Sequence, residues 1–193
     1  MHKFIEQSGE LKREAEKMLD DSALLELLRQ YGRVEITGSY SYDLMVAKDI
    51  DIHIFVKDLK KSDIFEIMGK LIEQNYFRSF KLDNFVDYPD VRFPDFPRGY
   101  YLGLQSVDRN WKIDLWFIVE DSASGKKFTS QLMKIDEATR ILILTLKDYK
   151  KAKGWRFSST VIYEAVLNGG VHNIGEFENY LKNKSIYNFA PDL

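Results

Sequence analysis

Residues 49–56 read Asp-Ile-Asp-Ile-His-Ile-Phe-Val. Strand side chains alternate between faces, so Ile50, Ile52, Ile54 and Val56 share one side while Asp49, Asp51, His53 and Phe55 share the other. The stretch predicts a strand with one apolar face and two carboxylates on the opposite face. Lys112-Ile113-Asp114-Leu115-Trp116 repeats the arrangement with one carboxylate. If these strands are sheet neighbours, three Asp side chains converge. Close carboxylates repel one another unless a cation lies among them, and hard divalent ions such as Mg²⁺ suit an all-oxygen set. Two such ions about 3.5–4 Å apart can activate an attacking hydroxyl and steady a leaving phosphate oxygen.

Asp-x-Asp alone is weak, arising by chance about 0.7 times in a chain of this size at a general protein frequency of roughly 6% Asp. What precedes it is more informative. Arg33 to Thr37 alternates as a short strand, Gly38-Ser39 breaks it, and a short helix is expected over 40–47. A strand–Gly–Ser–helix junction offers backbone N–H groups and a hydroxyl to a phosphate. Ser39 as an ordinary N-cap is the plain alternative.

Working outward, Leu11, Ala15, Met18, Leu19, Leu24, Leu25 and Leu28 have helical spacing and predict a helix over 10–30. A helix over 62–76 is expected to bury Ile64, Phe65, Ile67, Met68, Leu71 and Ile72. Asp87 to Gly99 holds three of the four prolines and reads as a long irregular loop. Its aromatics and Arg92 and Arg98 either stack bases or pin the loop to the core. Strands follow over 100–107 and 111–119, joined by Asp108-Arg109-Asn110. After a linker, Asp121 to Gly125, the pattern turns helical over about 136–152, 158–167 and 173–183. The expected organisation is a sheet-bearing domain, 1–122, and a helical subdomain, 123–193.

The 193 residues include 45% hydrophobic, 14% aromatic and 30% charged side chains, a globular composition. Cysteine is absent, which excludes disulfides, thiolate zinc sites, iron–sulfur clusters and cysteine nucleophiles. With 28 basic against 30 acidic residues the net charge is −2, so no whole-protein field recruits a polyanion. Five basic residues between 147 and 156 form the densest positive stretch. They make either a solvated helix face or a triphosphate contact. The opening residues lack the apolar core of a signal peptide and no stretch reaches the ~20 apolar residues of a membrane span, so a soluble cytoplasmic protein is expected.

Gly38-Ser39, nine residues, then Asp49-Ile50-Asp51, with Asp114 on a later strand, resembles the DNA polymerase β-type nucleotidyltransferase superfamily. That superfamily includes poly(A) polymerases, CCA-adding enzymes and oligoadenylate synthases. The resemblance implies an α+β fold: a palm whose mixed β-sheet is flanked by helices, with a small C-terminal helical subdomain. It implies Gly38 and Ser39 as phosphate ligands, and Asp49, Asp51 and Asp114 as catalytic residues and ligands of two Mg²⁺ or Mn²⁺ ions. The run Lys147 to Ser159 looks like the post-palm segment of CCA-adding and oligoadenylate-synthase-type members. By that likeness Lys147, Lys151, Ser158 and Ser159 would touch the triphosphate. Many relatives follow Gly-Ser with a small residue and then Arg-Gly, whereas this chain reads Tyr40-Ser41-Tyr42-Asp43.

The implied activity moves a nucleoside monophosphate from an NTP to an acceptor hydroxyl on an RNA 3′ end, a second nucleotide, a protein or a small molecule, and releases pyrophosphate. The alternative is a nucleotide-binding or regulatory module of the same fold without turnover. A third reading is a carboxylate cation-binding domain. His53 lies on the carboxylate side, as a packed strand histidine or as a further ligand. The oligomeric state is open.

Overall fold

The computed structural model describes residues 2–89, 97–119 and 128–184. The chain forms two compact units, Glu10–Gly125 and Lys126–Leu193 with Met1–Gly9. The expected boundary at 122/123 and linker 121–125 lie outside the described residues, as does most of the loop at 87–99.

The first unit contains a five-stranded sheet. Helix α1 (Lys3–Asp21), whose residues from Glu10 onward belong to this unit, is followed by α2 (Leu24–Arg29). One helix was expected over 10–30. It divides because Ala23 takes the left-handed conformation at φ 49° and Ser22 Oγ donates to the Leu19 carbonyl at 3.2 Å, an exchange that serine makes readily at helix ends. Strand β1 (Arg33–Thr37) leads into a single turn, α3 (Gly38–Ser41), which is shorter than the expected helix over 40–47. Then come β2 (Asp49–Val56), α4 (Lys61–Glu73), β3 (Phe77–Asn84), β4 (Gly99–Ser106) and β5 (Lys112–Val119).

The strand order is β1-β2-β5-β4-β3. Only β2 and β5 are parallel; the other neighbours are antiparallel. The sheet is therefore mixed, as expected. Its apolar side carries Ile50, Ile52 and Ile54 of β2 with Ile113, Leu115 and Phe117 of β5, all 0% exposed. They join one core with Ala15, Met18 and Leu19 of α1, Leu24 and Leu28 of α2, and Ile64, Ile67 and Leu71 of α4. Burying an aliphatic side chain of this size contributes about 1.5–3 kcal/mol. Phe65 and Ile72, expected on the buried side of α4, are 65% and 54% exposed. They are seven residues apart and so share a flank of the helix, about 100° from the Ile64–Leu71 line.

The second unit is helical: α5 (Thr129–Leu132), α6 (Glu137–Ala152), α7 (Ser159–Leu167) and α8 (Ile174–Asn183). The three longer helices start at side-chain caps. Asp136 accepts from Thr139 N at 2.8 Å, Ser158 from Thr160 N at 3.3 Å, and Asn173 from Glu176 N at 3.0 Å, each satisfying an otherwise orphaned amide. Ile143, Leu144, Leu146, Phe157, Ile162 and Phe177 are buried in it.

Candidate active site

The parallel pairing of β2 with β5 decides the site. Asp51 is the register partner of Asp114, and Asp49 that of Lys112. Neighbouring strands lie about 4.8 Å apart and register partners point the same way. The carboxylates of Asp51 and Asp114 are therefore side by side on the face opposite the isoleucines, with Asp49 two residues along β2. Asp114 is more enclosed than Asp49, its side chain 13% exposed against 46%.

Gly38 closes this cluster from the β1 side. It has φ +65°, and a Cβ placed on it would lie 2.1 Å from Asp51 Oδ2. Any other residue would be strained in the backbone and would collide with the carboxylate. The Gly38-Ser39 turn thus rests directly against Asp51. Ser39 contributes its carbonyl to the turn, accepting from Leu44 N at 2.9 Å, and Ser41 Oγ donates to Ile36 O at 2.6 Å.

Three further residues complete the site. Tyr101 Oη donates to Asp114 Oδ1 at 2.6 Å. Lys112 Nζ donates to Asp114 Oδ2 at 2.6 Å and lies 3.8 Å from Asp49 Oδ1. Gly103, the register partner of Asp114 on β4, leaves the space that Tyr101 crosses; a Cβ there would lie 2.6 Å from Tyr101 Oη. Burial, reinforced by the hydrogen bond to Asp114, pushes the Tyr101 phenol far above its ordinary value, so it stays a donor. Burial alone would lower Lys112, but the charges of Asp49 and Asp114 outweigh it and raise the ammonium above its ordinary value.

Sequence reasoning did not assign these three residues to the site. Lys112-x-Asp114 was a usable signal, since alternation puts both side chains on one face. Tyr101 and Gly103 are recognisable only from the β4–β5 register. His53 is half-buried on the carboxylate face, edge-on to Phe55 with ring centroids 6.1 Å apart.

The other candidates lie in the helical unit. Lys147 on α6 is 5% exposed and is the only buried charged side chain among the described residues. Its Nζ lies 6.0 Å from the Tyr163 ring centroid. Lys151, one turn further on, is exposed. Ser158 is the cap of α7 and Ser159 its first residue.

Among the described residues, no group of three or more His, Asp or Glu side chains is drawn together as a finished metal cage. The donor set still fits a hard divalent ion. It is all oxygen, two of its members are register partners on adjacent strands, and a cation, the Lys112 ammonium, already lies between Asp49 and Asp114.

With that geometry in view, the similarity to solved structures is informative. The chain matches the polymerase core of TRAMP, an RNA surveillance complex, with TM-score 0.52 and 15% identity, over 89% of this chain and 47% of that one. The chain shares the fold of that polymerase core, a mixed five-stranded sheet flanked by helices. Two further chains are similar: one in the GLD-2–GLD-3 poly(A) polymerase complex (TM-score 0.48, 18% identity, 86% of this chain, 59% of that one) and one in the GLD-2/RNP-8 complex (0.45, 16%, 78% and 65%). This chain spans about half the length of the TRAMP polymerase core. No protein-family model and no curated protein matches its sequence. Asp49, Asp51 and Asp114 lie on the sheet face opposite the isoleucine core. No helix among the described residues is long and apolar enough to cross a membrane.

Proposed function

We propose that this chain is a metal-dependent nucleotidyltransferase. It would transfer a nucleoside monophosphate from an NTP to an acceptor hydroxyl and release pyrophosphate. The observation that carries this reading is the register pairing of Asp51 with Asp114, with Gly38 pressed against Asp51. Simple strand faces need neither a shared carboxylate position nor a left-handed glycine there.

Asp49, Asp51 and Asp114 would hold Mg²⁺ or Mn²⁺, which when bound neutralises charge developing on the phosphate oxygens. The chain's own groups do the rest. The Gly38-Ser39 turn holds the phosphates in place, and Asp114 takes the proton of the acceptor hydroxyl. Tyr101, donating to Asp114 Oδ1, fixes the orientation of that carboxylate, and Lys112 neutralises the cluster before a metal arrives. A bond forms between the acceptor oxygen and the α-phosphorus as the α–β bridging P–O bond breaks. Most of the acceleration comes from positioning and charge stabilisation, as in phosphoryl transfer generally. By the sequence resemblance, Lys147, Lys151, Ser158 and Ser159 are proposed as triphosphate contacts. The likeness to the polymerase core of an RNA surveillance complex supports an RNA 3′ end as the first acceptor to try.

The test incubates the chain with each labelled NTP and Mg²⁺ or Mn²⁺, with RNA, a second nucleotide or no acceptor. Pyrophosphate release with a labelled product, abolished by Asp51→Ala, is expected. Nucleotide binding without release under every condition would establish the non-catalytic module instead.

A further inference from the structure

Three carboxylates on one sheet face are unfavourable without positive charge among them, and this chain supplies its own. Lys112 stands two residues before Asp114 on β5 and opposite Asp49, so its side chain emerges among the carboxylates by strand alternation. Its ammonium is 2.6 Å from Asp114 Oδ2 and 3.8 Å from Asp49 Oδ1. The remaining oxygen, Asp114 Oδ1, accepts from Tyr101 at 2.6 Å. Both oxygens of Asp114 are therefore engaged by donors of the chain itself.

A divalent ion that takes Asp114 as a ligand needs one of those oxygens. The two donors are not equally displaceable. Tyr101 is 9% exposed and wedged over Gly103, whereas the Lys112 side chain is 58% exposed on a flexible four-carbon stem. An ammonium and a metal ion also cannot share Oδ2 without close cation–cation repulsion, so Lys112 is the group that leaves. Once displaced it is a positive charge at the edge of the site. The polyanion arriving with the metal is its natural partner.

We propose that Lys112 is a resident counter-ion that trades places with the incoming metal and moves onto a phosphate of the bound triphosphate, thereby coupling metal binding to nucleotide binding. The proposal rests on the nucleotidyltransferase reading above and adds to it a specific order of preference. Metal alone binds weakly because it must evict Lys112, and the triphosphate strengthens metal binding by giving Lys112 somewhere to go. By linkage the metal strengthens triphosphate binding by the same factor.

The experiment measures Mn²⁺ dissociation constants by electron paramagnetic resonance for the full chain and for Lys112→Met, Lys112→Arg and Asp51→Ala. Each is measured with and without a non-hydrolysable triphosphate. Lys112→Met should bind Mn²⁺ alone about tenfold more tightly than the unaltered chain, and the triphosphate should strengthen its metal binding much less. Lys112→Arg keeps the charge and should resemble the unaltered chain in both respects. Melting curves in EDTA confirm that each variant is folded, and Mn²⁺ should raise the melting temperature of Lys112→Met more than that of the unaltered chain. Equal or weaker Mn²⁺ binding by Lys112→Met overturns the proposal, provided that the unaltered chain binds Mn²⁺ in an Asp51-dependent way. If no chain binds Mn²⁺ even with triphosphate, the nucleotidyltransferase reading falls as well.

Discussion

The two faces of β2 and β5 are built from the same sixteen residues and differ in what they require of their surroundings. On one face Ile50, Ile52, Ile54, Ile113, Leu115 and Phe117 are sealed from water and packed under α1, α2 and α4. On the other, Asp49, Asp51, Lys112 and Asp114 lie together, with side-chain exposure of 13% at Asp114 and 58% at Lys112. The apolar face is stabilised by removal from solvent and tolerates only conservative change in volume. The ion pairs at the carboxylate end of this face add little stability, about 0–1 kcal/mol where they are exposed, while Phe55 and Ile118 further along it are buried. What the carboxylate end gains is a fixed arrangement of oxygens. Around the carboxylates, strand alternation thus separates the positions that stabilise from those proposed to do chemistry, a separation that substitutions on either face can break or sharpen.

The largest expected effect is on the charged face. Asp51→Asn should lower turnover with the NTP and acceptor that support it by about a hundredfold or more, while the urea unfolding midpoint barely moves. Ile52→Ala, its neighbour on the opposite face, should do the reverse. Chemical denaturation should show a loss of about 2–5 kcal/mol, with activity per folded molecule near normal. If the two substitutions damaged both properties alike, the separation of the faces would be wrong.

Gly38→Ala crosses the divide. Its left-handed backbone should cost about 1–2 kcal/mol in denaturation, and the added methyl should displace Asp51 and weaken Mn²⁺ binding. Tyr101→Phe removes one donor to Asp114 from a buried site and should cost about 0.5–1.5 kcal/mol, with a smaller fall in turnover than Asp51→Asn.

The mildest prediction lies away from the sheet. The Thr139 side chain and backbone N–H hold the Asp136 carboxyl below its ordinary value of 3.8. Its capping contribution to α6 is therefore complete above that pH and is lost as the pH falls through the lower, folded-state value. Far-ultraviolet circular dichroism in that acid range should show the helical unit of Asp136→Asn losing less stability than the unaltered chain, because an amide cap does not titrate.

How much of this was legible depends on whether the pattern was local. Strand alternation over 49–56 and 112–119 placed all three carboxylates on one face, and the structure puts Asp51 and Asp114 in register. The helices of the second unit were readable because their apolar spacing and caps lie within each segment. Strand β3 was not foreseen. It is an edge strand whose only buried residue is Phe77, and a register shift between Phe77 and Ser79 interrupts its alternation. The break at Ser22-Ala23 was hidden because leucines continue helical spacing across it. Tyr101 and Gly103 were invisible for a different reason. Each has its role through a partner on another strand, and only the β4–β5 register reveals it.

The strand order carries a consequence for how the molecule comes into being. β5 lies between β2 and β4, yet it is the last strand of the sheet to be synthesised. Until residues 112–119 have emerged, the inner edge of β2 has no partner and the two halves of the sheet cannot join. The joining contact spans more than half of the first unit, the kind of distant pairing that slows folding. An incomplete chain therefore presents an unpaired apolar edge, a hazard for association with other chains, and carries Asp49 and Asp51 without Asp114. The insertion that closes the sheet is the same event that assembles the three-carboxylate cluster.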